Sequence, residues 1–341
     1  TFQAISYAVD TYKRKFDMEV TLLEYCFYLT FFPLLMAGPI TRAANLIPRL
    51  KRNEQASSRM LWTGLFLIML GLVKKNMLSD YIAQFNNWVF DAPQTFSGFE
   101  NLAALFGYPV QIFLDFSGYS DMSIGVAAIL GFYLPDNFYF PYRSLSVTEF
   151  WRRWHISLSF WFRDYVYIPL GGSRSGNVYL NLLLVFLATG IWHGAAWGFL
   201  LWGLWHGFFV LLERFLVNHG KQKVRSGIAA KAFGWLYTML VVVIGWVLFS
   251  LVQLDQVLTY LGIMFGKNAG GFHAYGLRYY LSNQTIFYLI VSVLVCIPWK
   301  WKKPEGLVFD VLQKILILGL LVLCFVFIIN SSYNPFIYFR F

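Results

Sequence analysis

Long apolar runs alternate with short polar segments along the whole chain. Eight runs approach the length that a helix needs to cross a bilayer, which is roughly 20 residues. They lie near 20–37, 60–78, 102–134, 178–194, 197–217, 233–254, 284–299 and 308–330. Continuous hydrophobicity over such lengths differs from the alternating pattern of a membrane barrel. The pattern therefore predicts an all-α polytopic membrane protein.

The run at 102–134 is long enough for more than one crossing, but two full crossings conflict with the loop charges on either side. The stretch FSGYSDMSIG contains glycines and serines, and Asp115 and Asp121 lie in or beside it. Irregular backbone at membrane depth is tolerated where protein or a water-filled cavity surrounds it. We therefore expect a re-entrant or broken helix here, forming the wall of a polar cavity.

Residues 147–163 combine aromatic positions at near-helical spacing with one acidic and three basic side chains. This combination is typical of a helix that lies at the membrane interface with its apolar face turned inward. Ser146 or Thr148 is suited to cap the helix, and Glu149 falls near its positive end.

The composition supports a membrane protein, because 58% of the residues are hydrophobic and only 13% are charged. The net charge of +10 comes from basic residues in short loops. This distribution favours positive-inside topology over nucleic-acid binding. Four basic segments are expected in the cytoplasm, and the acidic segment 79–101 outside. The basic segments contain Arg42 to Arg59, Arg143 to Arg174, Lys221 to Lys231, and Lys300 to Lys303.

Motifs for metal, nucleotide or redox chemistry do not occur in the sequence. The three cysteines, Cys26, Cys296 and Cys324, have no metal-ligand spacing. A P-loop, a GxGxxG fingerprint, an HExxH pair and a GxSxG elbow are also missing. We expect no metal site and no tightly bound cofactor.

His193 is the leading candidate for chemistry. It lies about 15 residues past the start of an apolar run, which corresponds to roughly 22 Å along a helix, and Gly190 and Gly194 flank it. An ionisable residue at such depth is a functional-site candidate. Neutral imidazole can take a proton from a hydroxyl whose oxygen attacks an acyl carbon. The alternative is a core histidine that bonds a backbone carbonyl.

The other histidines have different surroundings. His155 lies in RRWHIS beside several arginines, where a catalytic role and a packing role are both open. His206 lies inside an apolar run, and we expect it to make polar contacts between helices rather than to act in catalysis. His219 and His273 lie in polar loops and are expected at the surface.

Arginines close to the Gly171-Gly172 turn form the second candidate site. Arg152, Arg153 and Arg174 are suited to hold the phosphates of an acyl donor, because guanidinium pairs with phosphate through two hydrogen bonds. The alternative is that they anchor the topology.

Several motifs together resemble one family. EFWRRWHISLSFWFRDYVYIPLGGSR, followed by GIWHGAAWGFLLWGLWHG, is similar to the signature region of the membrane-bound O-acyltransferase (MBOAT) family. FFPLLMAGPITRAANLIPRL and the terminal NPFIYFRF agree with that likeness. The IPLGG sequence resembles the branch of AlgI-type alginate and PatA-type peptidoglycan O-acetyltransferases. The DltB-type D-alanyl transferases are more distant.

This resemblance implies a fold, an activity and a site. The fold is a ring of transmembrane and re-entrant helices around a central tunnel, with His193 catalytic and His155 lining the same tunnel. Residues 1–341 would form one integral membrane acyltransferase domain. The family has more N-terminal helices than this chain, which opens without Met. We therefore expect N-terminal helices to be missing.

The implied activity moves acetyl from a cytoplasmic donor, acetyl-CoA or an acyl carrier protein, towards an extracytoplasmic polysaccharide of the alginate, cellulose or peptidoglycan type. A partner protein outside the membrane would complete the delivery, and the enzyme would lie in the bacterial inner membrane as a multi-pass protein. Two alternatives remain. One is D-alanyl transfer to teichoic acid, and the other is a transporter or flippase that uses buried histidines as a proton relay.

Overall fold

The computed structural model describes residues 1–52, 55–220, 227–251, 253–267, 276–298 and 306–330. Within these ranges every regular element is a helix. The α-helices are α1 (Phe2–Tyr12), α2 (Leu22–Thr30), α3 (Ala43–Arg52), α4 (Ser58–Leu72), α5 (Asp80–Asp91), α6 (Gly98–Ile129), α7 (Val147–Trp151), α8 (Ile156–Phe162), α9 (Val178–His193), α10 (Trp197–Asn218), α11 (Ile228–Ser250), α12 (Leu254–Met264), α13 (Leu277–Tyr280), α14 (Asn283–Val295) and α15 (Leu307–Asn330).

The prediction of an all-α polytopic protein is confirmed, and each of the eight apolar runs contains a helix. Among the described residues, four helical segments are long and apolar enough to cross a bilayer, namely Ser58–Asp91, Trp197–Asn218, Ile228–Ser250 and Leu307–Asn330. The basic segments that include Lys221, Lys223 and Arg225 or Lys300 to Lys303 lie outside the described residues. His273 and the terminal NPFIYFRF also lie outside them.

The prediction that residues 79–101 form a loop is wrong for most of the segment. These residues are helical up to Asp91 and again from Gly98. A π-helical stretch, Val73–Ser79, joins α4 to α5, and the helix continues to Asp91. Asp80 therefore lies on a helix, where its Oδ1 accepts a hydrogen bond from Lys75 Nζ at 2.6 Å. An internal ion pair allows both charged groups to lie inside an otherwise apolar segment.

The predicted break in the 102–134 run is also wrong, because α6 is one continuous helix of 32 residues. Its small residues serve close packing against α4. A Cβ atom added at Gly64 would lie 2.6 Å from the Gly125 carbonyl oxygen, and one added at Gly118 would lie 2.9 Å from that of Gly71. Small residues allow the backbones of membrane helices to approach closely. We call Gly64, Gly71, Gly118 and Gly125 the glycine seam.

The two aspartates of α6 are paired with lysines of the neighbouring π-helical stretch. Asp115 lies 2.6 Å from Lys75 Nζ, and Asp121 lies 2.6 Å from Lys74 Nζ. The predicted polar cavity does lie beside this helix. It has a volume of about 80 Å³, and its walls include Asp121 and Ser117. The polar residues predicted to break the helix therefore form ion pairs and a cavity wall on an unbroken one.

Residues 147–163 form two short helices, α7 and α8, rather than the predicted single one. His155 separates them in the left-handed backbone conformation, with φ of 45°. Backbone hydrogen bonds from Ile156 N–H to Asn137 O (2.9 Å) and from Tyr139 N–H to Arg153 O (2.9 Å) replace helical ones at the break. Ser146 caps α7 as predicted, since its Oγ accepts from the Glu149 N–H at 3.0 Å.

The core beneath α7 and α8 is built from aromatic side chains, as the inward apolar face predicts. Trp154, Trp202 and Trp246 are each only 1% exposed. Trp154 stacks on Phe150 with ring centroids 5.6 Å apart, and it lies 4.8 Å from Trp246. This packing brings α7, α10 and α11 together beside the end of α9, where His193 lies.

Candidate active site

His155 and His193 line one cavity of about 400 Å³. Its wall also includes the start of α1, the segment between Leu34 and Ile40, and Phe116 of α6. The sequence MAGPI, which contributes to the resemblance described above, therefore lines the same cavity as both histidines. Residues far apart in the chain are brought to one concave site of a size typical for small ligands.

His193 is the last residue of α9 and is half-buried. Its ring lies edge-on to Trp202 and Phe249, with both pairs of centroids 5.1 Å apart. Gly194 ends the helix, and a Cβ atom there would lie 2.8 Å from the Phe199 ring. Gly190, in contrast, lies within α9 and packs on α10 rather than in a turn. The aromatic packing fixes the imidazole at the cavity wall.

His155 is buried, and it reaches the same cavity from the break between α7 and α8. Its Nδ1 lies 3.1 Å from Asn137 Oδ1, and the Phe116 ring packs edge-on against the imidazole with centroids 4.8 Å apart. The left-handed backbone at His155 allows this side chain to leave the helical direction. The two histidines predicted from sequence are thus found together.

His206 lies apart from the cavity wall and is fully buried. Its ring packs against Trp151 and Trp202, with centroids 5.0 and 5.3 Å away. Neither ring nitrogen has a hydrogen-bond partner among the described residues. His206 therefore packs its ring between α10 and its neighbours and does not make the expected polar contact. His219 is exposed at the end of α10, as expected.

A second cavity, of about 540 Å³, contains the arginines of three elements. Arg152, Arg163 and Arg214 all line it. Glu213 also contributes to the wall, but its carboxylate is already bound, since it accepts from the N–H groups of Val147 and Thr148 at 2.7 and 2.9 Å. We call this the basic cavity, because its three guanidinium groups give it a positive potential that suits an anion.

The structure does not bring Arg152, Arg153 and Arg174 together. Arg153 turns away from the basic cavity and donates to Glu149 Oε1 at 2.7 Å, with its guanidinium carbon 5.3 Å from the centre of the Tyr139 ring. Arg174 is exposed in the turn that follows Gly171 and Gly172. Only Arg152 of the three lines the basic cavity.

Sequence reasoning missed several residues near the cavities. Arg214 lies on an apolar helix 40 residues after Arg174, and nothing in its spacing links it to Arg152. Asn137 precedes an aromatic run with no motif of its own. Lys74 and Lys75 interrupt an apolar run. Two charged residues there require buried partners, and Asp115 and Asp121 of the neighbouring run were the candidates.

The described part of the chain contains no cluster of metal ligands. No group of three or more His, Cys, Asp or Glu side chains there is placed to hold a metal ion. Cys26, Cys296 and Cys324 are free thiols.

Comparison with known proteins finds relatives of this chain by sequence. A peptidoglycan O-acetyltransferase of Helicobacter pylori is 35% identical over 296 residues, covering 79% of this chain and 56% of the relative. A probable alginate O-acetylase, AlgI, of Pseudomonas putida is 34% identical over 365 residues, covering 100% of this chain and 73% of the relative. A teichoic acid D-alanyltransferase of Bacillus subtilis is 28% identical over 209 residues, covering 58% of this chain and 52% of the relative.

The chain thus spans little more than half the length of the Helicobacter and Bacillus relatives. The profile of the membrane-bound O-acyltransferase family matches residues 9–253. This match includes α6, the pair of short helices α7 and α8, and both histidines of the 400 Å³ cavity. The chain therefore belongs to the membrane-bound O-acyltransferase family.

Proposed function

We propose that the protein is a membrane O-acetyltransferase that moves an acetyl group from a cytoplasmic donor to an extracytoplasmic polysaccharide. The observation that carries this proposal is the meeting of His155 and His193 on one cavity of about 400 Å³. The names of the relatives in Helicobacter and Pseudomonas support acetyl transfer to a polysaccharide. The acceptor would be of the alginate, cellulose or peptidoglycan type.

His193 would act as the general base. Its imidazole takes the proton of an acceptor hydroxyl while that oxygen attacks the acetyl carbonyl carbon. The new ester C–O bond forms as the thioester C–S bond breaks, and the proton passes from His193 to the leaving thiolate. His155 lines the same cavity from the break between α7 and α8. No step requires an oxidant or a metal.

The donor would bind with its phosphates in the basic cavity. Leu182 and Val185 of α9 line that cavity, whereas His193 of the same helix lines the other one. Val185 precedes His193 by about two helical turns, or roughly 12 Å. A donor with a phosphate at one end and a thioester on an extended arm fits this separation. Acetyl-CoA and an acylated carrier protein share that chemistry.

Arg152→Gln should raise the KM for acetyl-CoA about tenfold, because one charged hydrogen-bonding group on a phosphate is worth roughly 1.5 to 3 kcal/mol before screening. Initial rates against donor concentration measure this change. Arg153→Gln is the matched control, since Arg153 is paired with Glu149 outside the basic cavity. An equal rise in KM for both variants would support the wider cluster with Arg174, and no rise in either would exclude Arg152 as a phosphate ligand.

The test of the function itself uses the protein in lipid vesicles. Labelled acetyl-CoA is supplied on one side, and acetyl ester is measured on alginate, cellulose or peptidoglycan fragments on the other. A partner protein that receives acetyl outside the bilayer is part of the proposal, so the assay is run with and without an envelope extract. Transport of intact acetyl-CoA or of polysaccharide without ester formation would favour a transporter.

D-alanyl transfer is the second candidate, and the likeness to the Bacillus relative is the observation that favours it. A D-alanyl-loaded carrier protein replaces acetyl-CoA in the same assay. Transfer from this carrier alone would assign the protein to teichoic acid modification. In either case the proposed location is the bacterial inner membrane, with the basic cavity facing the cytoplasm.

A further inference from the structure

Asn137 lies behind His155 and is only 1% exposed. Its Oδ1 is approached by three groups. Ser157 N–H lies 3.2 Å away, Ser157 Oγ lies 2.9 Å away, and His155 Nδ1 lies 3.1 Å away. One side-chain atom of a loop residue thus holds both the start of α8 and the imidazole.

The chemistry of Ser157 decides which atom of the Asn137 amide faces His155. A backbone N–H group can only donate, so the atom 3.2 Å from the Ser157 nitrogen must be the amide oxygen. An oxygen can only accept from the imidazole, and His155 Nδ1 must therefore carry a proton. The buried ring has no negatively charged partner in Asn137, so it is neutral. Its Nε2 then carries a lone pair.

The opposite face of Asn137 supports the same orientation. Asn137 also lines the polar cavity of about 80 Å³, together with Ser117, Ser120, Asp121 and Asp136. Asn137 Nδ2, Ser117 Oγ and Ser120 Oγ are buried without a hydrogen-bond partner among the described residues. This volume has room for a few water molecules, and water together with carboxylates supplies acceptors for the amide hydrogens. Donors therefore face one side of Asn137 and acceptors face the other.

We propose that Asn137 is a positioning residue that fixes His155 in the Nδ1-protonated tautomer. The inference rests on the proposed function for its consequence in catalysis. With Nδ1 bound to Asn137, Nε2 is the nitrogen left for the cavity that His193 shares. A bare Nε2 accepts a hydrogen bond, so His155 binds a hydroxyl of the polysaccharide acceptor. It does not donate to the oxyanion that develops on the acetyl group, because that contact requires an N–H.

Several ionisable groups near Asn137 and His155 can also influence the pH dependence. His193 faces His155 in the larger cavity, and Lys74, Asp121 and Asp136 surround the smaller one on the far side of Asn137. Lys74 and Asp121 are paired with each other at 2.6 Å. The amide of Asn137 itself is uncharged, so an introduced carboxylate changes the charge next to His155 directly.

The tautomer is measured by nitrogen NMR on the whole protein with labelled histidine. The chain has five histidines, and the His155→Gln variant identifies the signal of His155 by its loss. The expected spectrum shows a protonated Nδ1 and an unprotonated Nε2. A protonated Nε2 overturns the proposal, whether or not the protein transfers acetyl groups. This readout is independent of the proposed function.

Enzyme kinetics provide a second test of the role of Asn137. Asn137→Leu should lower kcat roughly 10- to 100-fold, as happens when the partner that orients a functional histidine is removed. Asn137→Asp keeps the acceptor and adds a negative charge, so it should restore turnover at high pH and move the acid limb of the rate profile up by about one to three pH units. Equal losses in both variants with an unchanged pH profile would show that Asn137 is only structural.

Asn101→Leu is the matched control for a lost buried amide. Asn101 is fully buried and donates to the backbone carbonyls of Pro93, Phe96 and Ser97 at 3.1, 3.2 and 2.9 Å. Its replacement should lower stability but leave the pH profile and the His155 signal unchanged. If Asn101→Leu shifts the pH–rate profile as Asn137→Asp does, the shift results from a general loss of stability and the proposal fails.

Discussion

Replacement of His193 by alanine should reduce acyl transfer about 10²- to 10⁴-fold, the range that a general base contributes. The protein should still fold, because His193 is half-buried at the cavity wall and the surrounding core is carried by Trp202, Phe249 and their neighbours. Ester formation per mole of folded protein in lipid vesicles measures the change. Near-wild-type transfer would refute the assignment of His193.

His206→Ala is the matched control, since this histidine lies on the neighbouring helix and is fully buried among aromatic rings. Loss of its ring leaves a cavity beside Trp151 and Trp202, which lowers the thermal stability in detergent. Activity per folded molecule should fall much less than in His193→Ala. A stable but inactive His206 variant would instead place the chemistry on α10.

Lys75→Met should destabilise the protein by about 3 to 5 kcal/mol, as expected when one partner of a buried ion pair is removed. The Lys75 side chain is 4% exposed, and its Nζ lies 2.6 Å from both Asp80 and Asp115. Methionine has a similar length and leaves these carboxylates without their cation. Thermal unfolding in detergent and the yield of monodisperse protein are the measurements.

The double variant Lys75→Met with Asp115→Asn provides the control for that result. Removing one negative charge together with the positive one should recover part of the stability, and the double variant compared with both single variants, Lys75→Met and Asp115→Asn, gives the coupling energy. Arg153→Gln, which breaks a more exposed pair with Glu149, should cost no more than about 1 kcal/mol. A Lys75→Met protein as stable as Arg153→Gln would contradict the central role of this ion-pair cluster.

The helices and the two histidines could be predicted because the signals are local. Apolar runs of sufficient length must form helices in a bilayer, since their backbone groups have no water to bond. His155 and His193 stand out as ionisable residues in apolar or aromatic surroundings. Their meeting on one cavity was implied by the family resemblance, not by their separation in the chain.

The wrong predictions arose where long-range contacts decide the structure. Glycine permits a bend and also permits close packing, and only the opposing glycines of α4 show that Gly118 and Gly125 serve packing. Residues 147–163 have helical periodicity throughout, but hydrogen bonds to Asn137 and Tyr139 interrupt them. Arg153 follows Arg152 directly, yet α7 has ended before both, and Arg153 pairs with Glu149 while Arg152 lines the basic cavity.

The glycine seam between α4 and α6 limits which mutations can restore the function of a variant that is damaged there. At each of its four positions the nearest obstacle to a larger residue includes a main-chain oxygen of the opposing helix. A smaller side chain elsewhere cannot remove a carbonyl, so second-site suppressors of a Gly71→Val lesion should not arise on α6. Revertants selected for the proposed acetyl transfer would instead restore glycine at the original codon, since the Cβ of alanine at 71 would itself clash with the Gly118 carbonyl oxygen.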